Sequence, residues 1–357
     1  MYNVAIIGCG GIFEMHAVSI TMLDNVRIVS VCDINKERAT CKALKYNCKY
    51  YTDYKLMIEN EEIDCVHICT PHYLHYPMAK YALQRRINVV CEKPMALSYA
   101  DAKELSELAI ANNLKLGVVF QNRYNPGSIL AKRILSEKTI GSIISAKIVI
   151  TWDRGMDYYK LSNWKGQLKF EGGGVIIDQA IHSLDLLRWL LDLPVTYVSA
   201  NCYNRLHNGI DVEDEAIGVF YLGDIPNTFY TVNYYSLDSP IEIHIHCALG
   251  IIKIIGDSCQ IIFQNGTTIS ASPTEADYID FGEGAKEYWG TSHYKLIKDY
   301  YTNDNPMNWN KEKHPGYLQT QLLINSIYDS SKRSSPIILD DNCQVRTHDK
   351  TYDIDNA

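Results

Sequence analysis

No apolar run in this 357-residue chain approaches the ~20 residues that a membrane-spanning helix needs, which excludes a helical membrane protein. Basic blocks and a basic helix face are also missing. With 34 Lys and Arg against 42 Asp and Glu, the formal charge is -8, which argues against nucleic acid and anionic membrane surfaces as partners. The 11 cysteines form no CxxC pair, and many sit in apolar runs where a thiol acts as a small hydrophobe. Their odd number, their scatter and the lack of a leader-like N-terminus point to reduced thiols and a cytoplasmic location. Neither an internal repeat nor a low-complexity linker is present. His244 and His246 share a strand face but have no third ligand at credible spacing, so no metal is expected. Phenylalanine is scarce at 7 residues while tyrosine reaches 26, a balance that suits a hydroxyl-rich ligand. The length suits two domains and the partners to look for are small molecules.

Residues 1–122 alternate short apolar strands with helical stretches. Val4 to Ile7 runs into Gly8-Cys9-Gly10-Gly11-Ile12-Phe13, then into a helical segment carrying Met15, Ala17, Ile20 and Leu23. Strands at Val26 to Cys32, Lys49 to Tyr51, Cys65 to Cys69, Val89 to Cys91 and Leu116 to Phe120 alternate with helices at Lys36 to Leu44, Tyr54 to Asn60, Tyr76 to Gln84 and Tyr99 to Ala111. That order predicts a parallel sheet with right-handed crossovers. A glycine turn between the first strand and helix, with Asp33 closing the second strand, is the pattern of a Rossmann dinucleotide-binding domain. Gly8 permits the tight turn, Gly10 lets the backbone approach a pyrophosphate, and Gly11 and Ile12 lead into the helix whose amides meet its charge. Phe13 stands where a third glycine is usual, which predicts looser helix–strand packing. Asp33 is expected to accept the adenosine ribose hydroxyls and repel a 2′-phosphate, favouring NAD over NADP. Two further segments fall at strand C-termini, where open parallel sheets bind ligands: Thr70-Pro71-His72-Tyr73-Leu74-His75 and Glu92-Lys93-Pro94.

From Arg123 the pattern changes. Ser142 to Trp152, Thr196 to Tyr203, Ala216 to Tyr221, Asn227 to Tyr234, Glu242 to Cys247 and Gly250 to Ile255 read as successive strands without intervening helices, predicting an antiparallel or mixed sheet. Helices at Ser292 to Tyr301 and Gly316 to Ser330 follow, then an acidic tail expected to be disordered. The fold class is therefore α/β: a Rossmann domain at 1–122, an α+β domain with a mainly antiparallel open sheet at 123–340, and a tail at 341–357. Within the second half, GGGVIIDQAIHSLDLLRWLL from Gly172 to Leu191 is an apolar helical run interrupted by Asp178, His182 and Asp185, whose spacings of four and three stack them on one face. A carboxylate four residues before a histidine can orient a general base; the same pair also fits a satisfied core histidine. Asp185 fits either substrate contact or helix packing, and His293, beside Trp289 and Tyr294, fits either a helix cap, the favoured reading, or a residue that reaches the site.

Several of these segments together resemble the glucose-fructose oxidoreductase and inositol dehydrogenase family, Gfo/Idh/MocA. The likeness is carried by Asp64 to Pro71, His75, Val89 to Pro94, Phe120-Gln121-Asn122-Arg123-Tyr124-Asn125-Pro126, the Gly172 to Asp185 segment, Val212-Glu213-Asp214 and Tyr288 to His293. Trp152, Arg154, Tyr158, Tyr159, Trp164, Lys165 and Gly166 resemble a WxR…YY…WRG stretch of sugar-acting members, with Lys165 in place of arginine, which loses a bidentate fork. The resemblance implies Lys93, Asp178 and His182 as the catalytic trio. It implies cofactor contacts from Gly8, Gly10, Gly11, Ile12, Asp33, Thr70, Pro71, His75, Glu92, Lys93 and Gln121, and substrate contacts from Lys93, Arg123, Tyr124, Arg154, Tyr159, Trp164, Asp178 and His182. The activity it implies is NAD-dependent oxidation of a secondary hydroxyl on a sugar, sugar derivative, nucleotide sugar or cyclitol by a homodimer or homotetramer. His182 would take the hydroxyl proton, oriented by Asp178, and Lys93 would stabilise the reacting oxygen, with Lys93 as base the alternative. An NAD-dependent glycosidase using transient oxidation and a non-enzymatic NAD(P)-sensing regulator are the other readings.

Overall fold

The computed structural model describes residues 1–282, 292–303, 305–340 and 343–346. Chain order in the first half is β1 (Tyr2–Ile7), α1 (Phe13–Thr21), β2 (Val26–Cys32), α2 (Lys36–Tyr46), β3 (Lys49–Tyr51), α3 (Tyr54–Asn60), β4 (Cys65–Ile68), α4 (His72–Gln84), β5 (Asn88–Cys91), α5 (Tyr99–Ala111) and β6 (Leu116–Val118). All six strands pair in parallel in the order β3-β2-β1-β4-β5-β6, so the chain reverses direction across the sheet at the β1/β4 boundary. Such a switch point opens a crevice at the strand C-termini. The central strands are apolar on both faces, with Val4, Ile6, Val66, Ile68, Val89 and Val90 fully buried, as helices on both sides require.

The second half runs α6 (Pro126–Ser136), β7 (Ile143–Thr151), α7 (Met156–Lys160), α8 (Leu168–Glu171), a π-helical turn (Val175–Ala180), α9 (Ile181–Leu191), β8 (Val195–Tyr203), β9 (Glu215–Leu222), β10 (Ile225–Val232), β11 (Glu242–Cys247), β12 (Gly250–Ile255), β13 (Ser258–Phe263), β14 (Thr268–Ala271), α10 (Ser292–Thr302), α11 (Pro306–Arg333) and β15 (Ile337–Ile338). Nine strands form one sheet in the order β14-β13-β12-β11-β7-β10-β9-β8-β15, antiparallel except where β10 meets β7. Three of its strands, β13 and β14 at one edge and β15 at the other, extend the sheet past the six that the sequence pattern predicts.

Proline misleads at two helices. Tyr76 and Gly316 are the expected starts, yet α4 begins at His72 with Pro77 inside it, and α11 begins at Pro306 with Pro315 inside it. In α11 the N-cap Asn305 accepts from Met307 and Asn308, and Pro306 occupies the first turn, where its missing N–H costs nothing. The last two helices then return to the first sheet. Trp309 is fully buried and its indole N–H donates to the Leu116 carbonyl at 3.0 Å, while the Lys115 amine donates to the carbonyls of Tyr300 and Asn303. Residues 288–291 of the late sugar-family motif and most of the tail expected to be disordered lie outside the described residues.

Candidate active site

The glycine turn after β1 is built for close approach. Gly8 has φ +98°, and a Cβ there would sit 2.5 Å from the Cys69 carbonyl oxygen, so no other residue fits between the ends of β1 and β4. At Gly10 an added Cβ would meet nothing within 4 Å: the turn opens onto free space in front of α1. Asp33 accepts the backbone N–H groups of Cys9 at 2.9 Å and Asn35 at 2.8 Å and pairs with Arg38 at 3.0 Å, which fixes a carboxylate at the end of β2. These residues fit a dinucleotide. His75, expected among the cofactor contacts, is instead buried, with its ring nitrogens each 2.7 Å from the carbonyls of Pro94 and Thr70. It locks together the two strand-end loops that carry Thr70-Pro71 and Glu92-Lys93. Glu92 and Gln121 are also nearly buried, and Gln121 Oε1 is among the buried atoms without a hydrogen-bond partner.

Lys93 leaves β5 and reaches the second half of the molecule. Its amine donates to the Asp178 carbonyl at 2.5 Å and to Asp178 Oδ1 at 3.2 Å. Asp178 Oδ2 accepts from Lys165 at 2.6 Å and from the Tyr158 hydroxyl at 2.5 Å; Lys165 also donates to Tyr158, and His72 Nε2 lies 3.7 Å from Oδ1. Burial alone would raise the Asp178 carboxyl, but Lys165, Lys93 and His72 hold it well below the usual carboxylate range. Glu171, 3.8 Å from Lys165, goes the other way: burial and the Asp178 charge push it up to about 8. The cluster therefore holds two ammonium groups, one carboxylate and one neutral carboxyl at neutral pH.

The segment carrying Asp178 is held by Glu213, whose carboxylate accepts from Gly174 at 2.7 Å and Ile176 at 2.9 Å and from the Tyr328 hydroxyl at 2.8 Å. A Cβ on Gly174 would stand 1.9 Å from the Glu213 carbonyl oxygen, so the glycine run exists to let these backbones touch. Next in the Val212-Glu213-Asp214 motif, Asp214 accepts the N–H groups of Arg205, Leu206 and His207 and organises the adjoining loop.

The expected single polar face does not form. Asp178 lies in the π-helical turn, whose i→i+5 bonding breaks the α-helical register before His182. No hydrogen bond or ion pair joins the two; His182 Nδ1 is buried without a partner, and Phe120 meets the ring edge-on at 6.4 Å between centroids. Burial, with Lys93 adding to it, pushes His182 down to about 3, so the imidazole is neutral. Asp185 turns away altogether: Arg123 grips it with Nε at 2.7 Å and Nη2 at 2.5 Å, and Thr320 donates at 2.7 Å. Arg123, expected at the substrate, is thus a sealed structural cation.

Other expected substrate contacts also part company. Tyr124 donates to Asp299 at 2.5 Å and, with Arg123, lines a separate cavity of about 380 Å³ bounded by Phe120. Tyr159 is buried, accepting from Asn233 at 2.6 Å on the sheet side. Arg154 pairs with Asp238 at 2.9 Å, its guanidinium 5.9 Å from the Tyr158 ring. Trp164 packs on His72 at 4.7 Å between centroids, next to Asp178. The sequence pattern gave no role to His72 or Glu171; their proximity to Asp178 comes from α4 and α8 meeting across the two halves. His293 lies in the first turn of α10 and reaches inward, buried with Nε2 3.7 Å from Glu92 Oε1.

Comparison with known proteins follows the same division. Residues 2–120 match the oxidoreductase family with an NAD-binding Rossmann fold, and residues 129–253 match the Gfo/Idh/MocA C-terminal domain. D-glucoside 3-dehydrogenase of Escherichia coli K12 is 29% identical over 209 residues, covering 57% of this chain and 58% of that enzyme. Levoglucosan dehydrogenase of Pseudarthrobacter phenanthrenivorans is 25% identical over 277 residues, covering 68% and 71%. The matched region is thus a little over half the length of the first of these two relatives. The WlbA dehydrogenase of Bordetella pertussis, solved with NADH and UDP-GlcNAcA, superimposes with a TM-score of 0.78 at 24% identity over 95% of this chain and 98% of that one, which shows a shared fold. Both halves being matched, the chain belongs to the Gfo/Idh/MocA oxidoreductase family.

Proposed function

We propose that the chain oxidises a secondary hydroxyl of a sugar, sugar derivative or cyclitol, with NAD as hydride acceptor. The observation that carries this reading is the Lys93 amine, fixed by Asp178 at the C-terminal edge of the parallel sheet, with His182, its Nδ1 partnerless, within electrostatic reach of that amine. Gly8, Gly10, Gly11, Ile12 and Asp33 would hold the dinucleotide, which supplies the hydride acceptor when bound. Lys93, positioned by its carboxylate partner, stabilises negative charge on the substrate oxygen. His182 is neutral and accepts the hydroxyl proton. Asp178 orients Lys93, Lys165 and Tyr158 rather than His182. Hydroxyl and ammonium donors around one carboxylate suit a polyhydroxylated ligand, in keeping with the sugar substrates named for the relatives.

Residues 1–122 serve as the dinucleotide half and 123–340 as the substrate half. The eleven thiols are all free, as a reducing, cytoplasmic setting would leave them. No helix among the described residues is long and apolar enough to cross a membrane. The large sheet exposes Tyr203 and Ile217, and Tyr235 is exposed just past β10, apolar surface that a homodimer or homotetramer would cover.

The test is a panel of sugars, glycosides, cyclitols and nucleotide sugars assayed for reduction of NAD+, with NADP+ in parallel. Accumulating NADH with one class, and weaker use of NADP+, is the expected result. Cleavage of a glycoside with no net change in nicotinamide absorbance would replace the dehydrogenase reading with transient oxidation.

A further inference from the structure

Behind Lys93 lies a buried polar string that the reaction above does not use. Glu92 Oε1 is 3.0 Å from His16 Nε2, His16 Nδ1 is 2.8 Å from His67 Nδ1, and His67 Nε2 is 2.8 Å from the Tyr301 hydroxyl. His16 and His67 are 0% exposed, Tyr301 1% and Glu92 8%. Four polar groups in a row are tolerated in such a place only when every link is a made hydrogen bond. Burial would raise the Glu92 carboxyl, but its bonds to His16 and His293 hold it well below the usual range, so Glu92 is the accepting, anionic end.

With Glu92 ionised and His67 held uncharged by its burial, two proton placements satisfy all three links. In the first, each imidazole carries one proton: Tyr301 donates to His67 Nε2, His67 Nδ1–H donates to His16 Nδ1, and His16 Nε2–H donates to Glu92. In the second, His16 carries two protons and donates to both neighbours, while His67 moves its proton to Nε2 and donates to Tyr301, whose hydroxyl turns to the adjoining Cys65 thiol. The two states differ by one proton and lose no bond. Facing Glu92 are also Lys93, whose backbone N–H donates to Oε2 at 3.3 Å, His293 at 3.7 Å, and, within electrostatic reach, His75, His182, Cys69 and Cys91.

We infer that the His16–His67–Tyr301 string stores one proton in response to the charge facing Glu92 in the dinucleotide cleft. This rests on the dinucleotide reading above. A positive charge held in the cleft beside Lys93, as oxidised dinucleotide would supply, would keep the string in its one-proton-per-imidazole state; without that charge, His16 would take up a proton. The charges would balance: alcohol oxidation would remove one positive charge from the cleft and release one proton, which His182 accepts and then gives up to solvent, and the string would take one proton from solvent in exchange. His16, His67 and Tyr301 are positioning residues, acting through Glu92.

Two measurements test this, the first without cofactor. In free protein labelled with ¹⁵N-histidine, the proton on His67 should move from Nδ1 to Nε2 as pH is lowered; a His67 proton that stays on one nitrogen over the whole pH range in which the protein is folded overturns the proposal. In the second, the affinity for NADH relative to NAD+ should fall by about tenfold per pH unit over the range in which the string holds a proton with NADH but not with NAD+. His16→Gln, whose amide still donates to Glu92 and accepts from His67 but stores no proton, should flatten that slope, whereas His293→Gln should leave it. A slope that survives in His16→Gln, or vanishes only in His293→Gln, overturns the proposal. Wild-type protein that binds neither dinucleotide would instead sink the cofactor reading, while the tautomer measurement still decides the proton store.

Discussion

Asp178 and Asp185 lie seven residues apart in one apolar segment, both buried and both paired with a cation from an earlier element of the chain, yet they do different work. Asp185 is closed off: one arginine takes both oxygens and a threonine takes what remains. Asp178 is shared, with Lys93, Lys165 and Tyr158 converging on it and His72 nearby. A bidentate fork satisfies a carboxylate and fixes geometry, whereas ammonium groups are point charges that keep donors to spare. A closed pair is scaffold; a shared one leaves N–H groups for a ligand.

That contrast is broken most directly by removing each carboxylate in turn. Asp185→Asn leaves the Arg123 charge buried without its counterion, and should cost about 3–5 kcal/mol in denaturant unfolding. Asp178→Asn frees Lys93 and Lys165 from their anchor at a site meant to meet solvent and substrate; kcat/KM should drop about 10²- to 10³-fold, with a much smaller change in unfolding midpoint. If Asp178→Asn unfolds the protein as readily as Asp185→Asn and the folded fraction of each turns over equally, the distinction between scaffold and site is gone.

The difference between the two aspartates could not be seen in their spacing. Asp178, His182 and Asp185 obey an α-helical repeat, but Gly172 to Gly174 and the Glu213 carboxylate wind the preceding turn as a π-helix, and Arg123 captures Asp185 from a different element. Patterns confined to one strand or turn were legible: the glycine turn after β1, Asp33 at the end of β2 and the parallel order of the first sheet all follow from neighbours in sequence. The Glu92-Lys93-Pro94 segment was legible as a strand-end site for the same reason. Contacts made across the two halves were not, because His72, Glu171 and His293 carry no local signal and gain their roles from packing. Tyr159 and Trp164 share an aromatic stretch, yet one faces the sheet and the other His72. Proline as a stop signal failed in α4 and α11 because the flanking turns of each helix are held by tertiary contacts.

The smallest expected effect sharpens the comparison from the side of Glu171, the third carboxyl in reach of the shared cluster. Burial and Asp178 push it up to about 8, against 4.5 in an ordinary setting, so the folded chain holds a proton that the unfolded chain has released. A group of this sign contributes stability at low pH and loses it progressively as pH rises from about 4.5 through about 8. Thermal unfolding of the wild type should therefore lose stability across that window, and Glu171→Gln, with no proton to lose, should lose less. The same proton sets the charge beside the substrate. With Glu171 neutral, Lys93, Lys165 and Asp178 sum to one positive charge, and ionisation of Glu171 cancels it. The wild type should then lose a few-fold in kcat/KM as pH rises through about 8, a limb that Glu171→Gln lacks. Identical profiles for the two proteins would mean that Lys165 belongs to Glu171 as much as to Asp178, and that the cluster is a closed network like the one around Asp185.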